Sequence, residues 1–184
     1  SYKNPVVDIA MPDPTVIKAA DGYFYVYATE STRNVPIMKS KDLVEWTYCN
    51  TAFTNKTRPR FEPKAGIWAP DINYINGKYV LYYAMSVWGG EQTCGIGVAT
   101  ANSPQGPFTD HGKMFRSNEI GVQNSIDPSL LQYEGRNYLV WGSFRGIYVI
   151  ELTADGLSIM SGAKKKRIAG TAFEAVYILS LIHI

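Results

Sequence analysis

Three carboxylic acids stand at comparable places in this sequence of 184 residues. They are Asp13 in Met11-Pro12-Asp13-Pro14, Asp127 in Asn124-Ser125-Ile126-Asp127-Pro128, and Glu174 in Phe173-Glu174-Ala175. Brought together, such a set performs acid–base hydrolysis. One carboxylic acid protonates a leaving oxygen while a carboxylate activates water, and in inverting glycoside hydrolysis the two lie roughly 6.5 to 9.5 Å apart. A third acid adjusts the proton donor, because like charges within about 4 to 6 Å raise each other's pKa. Asp-Pro pairs also serve simply as turn and strand-entry devices. For either Asp taken singly, both readings stay open.

Other chemistries lack their residues. The two histidines, His111 and His183, argue against a His-rich zinc site and against a Ser-His-Asp hydrolase. Cys49 and Cys94 are too few for a disulfide framework and lack Cys-x-x-Cys spacing, so they leave the redox compartment open. Eighteen Lys and Arg against sixteen Asp and Glu leave a formal charge of +2, too balanced to suggest a nucleic-acid footprint or an acidic tail, so no nucleic-acid partner is expected. The one basic cluster, Lys164 to Arg167, reads as a solvated loop or strand edge. No run of about 18 apolar residues is present to span a membrane. Ser1 opens onto a polar segment without an apolar signal region, so any export signal is expected to have been removed; the expected location is secreted or periplasmic.

The elements that must position the acids repeat along the chain. An acid, an apolar pair, a Gly turn and an aromatic strand recur three times. The first copy is Asp13-Pro14-Thr15-Val16-Ile17, Asp21-Gly22 and Tyr23 to Tyr27; the second is Asp71-Ile72, Asn76-Gly77 and Lys78 to Tyr83. The third is Asp127-Pro128-Ser129-Leu130-Leu131, Glu134-Gly135 and Asn137 to Trp141. The leading acids are 58 and 56 residues apart, and Glu174 follows Asp127 by 47. Further short strands between copies bring each unit to four antiparallel strands, with Asn-Gly and Asp-Gly as hairpin turns. Four-stranded units at this period point to radial blades of a β-propeller, whose first strands line a common channel. A sandwich or solenoid of the same strands is the alternative.

These segments, with Ile67-Trp68-Ala69-Pro70-Asp71, resemble glycoside hydrolase family 43, over about Asn4 to Ile178. The resemblance implies a five-bladed β-propeller acting on arabinan, arabinoxylan or xylo-oligosaccharides. It also implies that Asp13 is the general base, Glu174 the general acid, and Asp127 the residue that orients the acid and adjusts its pKa, with inversion as the outcome. Glu174 must then hold a proton near neutral pH while Asp13 stays ionised. Asn-Ser-Ile-Asp-Pro and Gly142-Ser143-Phe144-Arg145-Gly146-Ile147 look most like the endo-acting arabinanases, which cut internal α-1,5 links. The same resemblance places Trp68 against the sugar site and Asn124, Ser125, Ser143, Phe144 and Arg145 near the glycosyl units.

Trp68 reads equally well as a core aromatic. Trp46 and Trp141 are assigned to the core, Asp71 to a turn or loop anchor, and Trp88 to a loop at the cleft rim. An exo-acting α-L-arabinofuranosidase or β-xylosidase of the same family, and a non-catalytic carbohydrate-binding propeller, are the rival functions.

A complete propeller at this period needs on the order of 280 residues. The expectation is therefore an incomplete one, about three blades plus the first strand of a fourth within residues 1–178. Residues 179–184 read as an apolar tail, a fragment end or artefact. No cofactor is required by these residues. The structural calcium that the resemblance allows needs a histidine from a later blade, a position that neither His111 nor His183 matches.

Overall fold

Tight turns build the first two strands of each unit. Asn76-Gly77 and Glu134-Gly135 hold positive φ at both residues (48° and 81°, 49° and 74°), the geometry of two-residue hairpins whose twist matches that of strands. The structure, a computed structural model, describes residues 2–179. Its first sheet holds β1 (Thr15–Lys18), β2 (Phe24–Tyr27), β3 (Pro36–Ser40) and β4 (Trp46–Thr51). The second holds β5 (Gly66–Ile75), β6 (Lys78–Ser86), β7 (Gly95–Ala101) and β8 (Thr109–Arg116), followed by the short helix α1 (Ser117–Ile120). β9 (Ser129–Tyr133), β10 (Arg136–Trp141), β11 (Ile147–Leu152) and β12 (Lys166–Ala169) form the third. Each sheet is an antiparallel meander in chain order, as the repeat predicts. The basic cluster supplies the edge strand β12, where lysines discourage further pairing.

Burial explains the stacking. β6 is buried from Tyr79 to Ser86, so both faces of the second sheet are covered. Tyr79, Leu81, Tyr83 and Met85 join Tyr25, Tyr27 and Ile37 of the first sheet, and Phe53 just after it, in one core. Val80 and Tyr82 join Leu139, Trp141 and Ile150 of the third sheet in another. The period-two alternation of strand side chains thus sends neighbouring residues into different cores. Trp141 is fully buried, as assigned. Trp46 is half-buried and lines an outer groove of the first sheet.

Two expectations need correction. Phe173 to Ile178 forms no strand, because a strand requires a ladder partner and none lies beside it among the described residues. It is instead tied to the third sheet by the Phe144 amide, which donates to Phe173 O at 2.9 Å. The repeat register also slips by two residues in the second unit. Asp13, Ala69 and Asp127 share positive φ (48°, 41° and 56°) and a following proline. The counterpart of Asp13 is therefore Ala69, and Asp71 corresponds to Thr15 and Ser129. Of the proposed apolar tail, residues 180–184 lie outside the described residues.

Candidate active site

Asp13 and Asp127 stand just before β1 and β9, Ala69 kinks β5 at a register shift between Trp68 and Asp71, and Ala175 continues the positive-φ series at 52°. Such a conformation costs a residue with a side chain of order 1–3 kcal/mol and is characteristic of functional sites. The segments that follow, from Asp13, Ala69, Asp127 and Ala175, line one cavity of about 510 Å³ between the first strands. A second cavity, about 640 Å³, shares Asp13, Asp127 and Ala175 with the first and adds Glu174, Thr29, Trp68, Trp88 and Ser143. The three acids therefore meet where two cavities adjoin.

Their environments differ. Asp13 and Glu174 are exposed and Asp127 is half-buried. Burial pushes the Asp127 carboxyl up to about 6, and the charges of Glu174 and Asp13 push the same way, against the amide hydrogen of Ala175 on Oδ2 at 3.1 Å. That Asp127 feels both other acids is the electrostatic signature of one site. Each flanking acid has one oxygen held by a hydroxyl. Thr29 Oγ1 donates to Asp13 Oδ2 at 2.6 Å, and Ser143 Oγ donates to Glu174 Oε2 at 2.9 Å.

Trp68 forms one wall. It is half-buried, with part of its ring against Ala84, Cys94 and Ile126, so it serves core and cleft together. Gly66 permits this placement, since a Cβ there would lie 2.6 Å from the indole nitrogen. Trp88, 94% exposed, packs on Trp68 with ring centroids 5.4 Å apart and planes inclined by 51°. An aromatic pair with one ring exposed, at a cleft of carboxylates, offers apolar faces of the kind that stack on sugar rings.

The remaining sequence-derived residues separate. Asn124 lines the cleft and donates from Nδ2 to Ser143 O at 3.1 Å, and Phe144, 47% exposed, also lines it. Ser125 lies behind the cleft wall. It is fully buried, its hydroxyl accepting from Trp141 Nε1 at 3.0 Å and donating to Val122 O at 2.8 Å. Arg145 is turned to Glu91, reaching its two oxygens from Nε and Nη2 at 3.1 Å each. That pair ties the third sheet to the loop bearing Trp88. Two cleft residues escaped sequence reasoning, Thr29 and Glu91, because neither sits in a motif. The leading-acid repeat offers only an indirect signal for Thr29, as a polar residue two positions beyond the end of β2, the strand paired with the one that follows Asp13.

Among the described residues no group of three or more His, Cys, Asp or Glu side chains is placed to hold a metal ion. His111 is exposed on β8 with its Nε2 hydrogen-bonded to Thr100 Oγ1 at 2.7 Å, and His183 lies outside the described residues. No helix among the described residues is long and apolar enough to cross a membrane.

Known proteins resemble this chain in sequence and fold. The extracellular endo-α-(1→5)-L-arabinanase 1 of Bacillus subtilis (strain 168) is 38% identical over 140 residues, 72% of this chain and 43% of its own length. The structure of Cellvibrio cellulosa α-L-arabinanase complexed with arabinohexaose superposes with a TM-score of 0.76 at 28% identity, covering 88% of this chain and 54% of that one. An exo-1,5-α-L-arabinanase from a bovine ruminal metagenomic library gives a TM-score of 0.76 at 30% identity, covering 95% and 62%. This chain thus spans less than half of the Bacillus protein. Residues 2–180 match the family described as glycosyl hydrolases family 43, and with nearly its whole length matched the chain belongs to that family.

Proposed function

We propose that this chain is part of an inverting glycoside hydrolase that cleaves internal α-1,5-L-arabinofuranosyl links of arabinan. The observation that carries the reading is the electrostatic meeting of Asp13, Asp127 and Glu174 at one cleft walled by Trp68 and Trp88. In this mechanism Asp13, exposed and anchored through one oxygen, takes a proton from the attacking water. Glu174, held by Ser143, delivers a proton to the departing glycosidic oxygen. Asp127 stands between them. With its carboxyl raised to about 6 it shares the site's negative charge and adjusts the donor. These transfers are made by the carboxyl groups themselves, and a structural calcium would be held by residues beyond those described.

The wider fold is read as a five-bladed β-propeller, of which the three sheets are blades. Support comes from the three consecutive meanders, the cavity between their first strands and the likeness to arabinanase structures. The substrate is plant cell-wall arabinan or arabinoxylan oligosaccharide, and the protein is secreted or periplasmic, like the extracellular Bacillus relative. Exo-acting cleavage is the second reading, favoured by the likeness to the exo-1,5-α-L-arabinanase.

Digestion of debranched arabinan separates the two. A ladder of short oligosaccharides supports internal cutting; monosaccharide alone overturns it. Glu174→Gln should abolish turnover while sugar binding persists, and undiminished turnover would remove Glu174 from the mechanism.

A further inference from the structure

We infer that Thr29 is the positioning residue of the general base, fixing Asp13 through one carboxylate oxygen and leaving the other for water. The inference rests on the proposed reading of Asp13 as that base. A threonine hydroxyl has one hydrogen and two lone pairs. Here the Ala69 amide donates to Thr29 Oγ1 at 2.7 Å, and the hydroxyl hydrogen goes to Asp13 Oδ2 at 2.6 Å. The amide fixes where the oxygen sits, and the stiffness of a β-branched side chain removes much of its remaining freedom. Asp13 Oδ1 has no protein partner among the described residues. One oxygen is anchored and its twin is free.

Equivalent positions show what is special here. The Thr29 amide donates to Pro12 O, one residue before Asp13, and the Gly142 amide donates to Ile126 O, one residue before Asp127. Ala84 pairs with Trp68, one residue before Ala69. Thr29, Ala84 and Gly142 therefore occupy one place in three sheets, and only the sheet led by Asp13 carries a hydroxyl there.

A purely structural role is supplied by other groups. Glu30 already joins the first sheet to β5, its amide donating to Ile67 O at 3.1 Å and its Oε1 accepting from Ile67 N at 3.0 Å. Arg58 reinforces the same corner through Glu30 and Ala65 O. What the Thr29 hydroxyl adds is its bond to Asp13. Because it bonds at the same time to the kinked residue after Trp68, it also sets the base relative to the aromatic wall.

The test compares Thr29→Val, which keeps the shape and loses the hydroxyl, with Thr29→Ser, which keeps the hydroxyl, and with Asp13→Asn. kcat and KM are measured separately on debranched arabinan, and crystal structures are determined for the parent protein and Thr29→Val. We expect Thr29→Val to lose about 100-fold in kcat with KM within about twofold, and Thr29→Ser to recover kcat to within about threefold of the parent. Equal damage by both substitutions, a loss confined to KM, or no loss overturns the inference. Full activity in Asp13→Asn sinks instead the underlying assignment of the base. The crystal structures decide the matter even where turnover is too slow to measure. An Asp13 carboxylate that rotates in Thr29→Val supports positioning, and one that stays in place overturns it.

Discussion

The carboxylate of Asp71 accepts the amide hydrogen of Leu130 at 2.8 Å, so a buried side chain of the second sheet caps a backbone group in the first strand of the third. Thr15 repeats the arrangement one sheet earlier, its Oγ1 accepting from Ile72 N at 3.3 Å. The two residues correspond in the repeat, and each ties its sheet to the next beside the inner cavity. In the second sheet that tie is made by an ionisable group.

Burial pushes the Asp71 carboxyl up to about 6, although Asn73 and the Leu130 amide pull it down. A carboxyl raised in the folded state binds more protons there than in the unfolded chain between about 4 and 6, so its contribution falls as pH rises across that window and is flat above it. Two units correspond to about 3 kcal/mol. Asp71→Asn should therefore gain on the parent protein as pH is raised from 4 to 6.5 in urea denaturation. An offset between the two that is independent of pH would mean Asp71 carries no buried charge. Asp127, also raised to about 6, drifts in the same direction in both proteins.

Ser143→Ala removes the hydroxyl on Glu174 without touching the acid itself. The bond strengthens as Glu174 gives up its proton, and a hydrogen bond to a charged group contributes about 1.5–3 kcal/mol, so kcat on arabinan should drop about ten- to hundredfold with little change in KM. Unaltered kcat would show that Glu174 is oriented by other contacts.

Trp88 contributes little to folding, being almost wholly exposed, yet it shares the cleft with the acids. Trp88→Ala should raise KM for arabino-oligosaccharides about tenfold, equivalent to about 1.4 kcal/mol of lost binding, and leave the melting temperature within about 1 °C of the parent. A melting temperature that falls with no change in KM would place Trp88 in the fold rather than the site.

Arg58 and Glu30 form an ion pair with side chains only 7% and 8% exposed. Burial pushes Glu30 up, but hydrogen bonds from Arg58 and from the Asn34 and Ile67 amides hold it below its ordinary value overall. Its stabilisation is therefore present above the unfolded carboxylate range and is lost as pH falls through the lowered folded value. Arg58→Met leaves a buried charge unpaired and should cost about 3–5 kcal/mol in urea denaturation at pH 7. A cost below about 1 kcal/mol would mean that water reaches Glu30 in the variant.

What could be read from the chain varied with the range of the interaction. Asn76-Gly77 and Glu134-Gly135 announced hairpins because two-residue turns constrain their own φ angles. The three acids could be picked out through the segments around them. Asp71 was placed in the wrong register because its side chain matches Asp13, whereas the backbone kink and following proline match Ala69. Ser125 and Arg145 sit in family-like segments, yet one packs under Trp141 and the other pairs with Glu91 across two sheets.

The linear chain by itself determined most of the strands, the turns, the four-stranded unit and which carboxyl groups were available, since all of these follow from local propensity and period. Only the tertiary structure decided that Thr29 would reach Asp13, that Glu91 would receive Arg145, and that Asp71 would be buried. Those outcomes depend on distances between residues 16, 54 and 59 positions apart in the chain. Such distances are set by how sheets stack, and no local pattern of residue types encodes them.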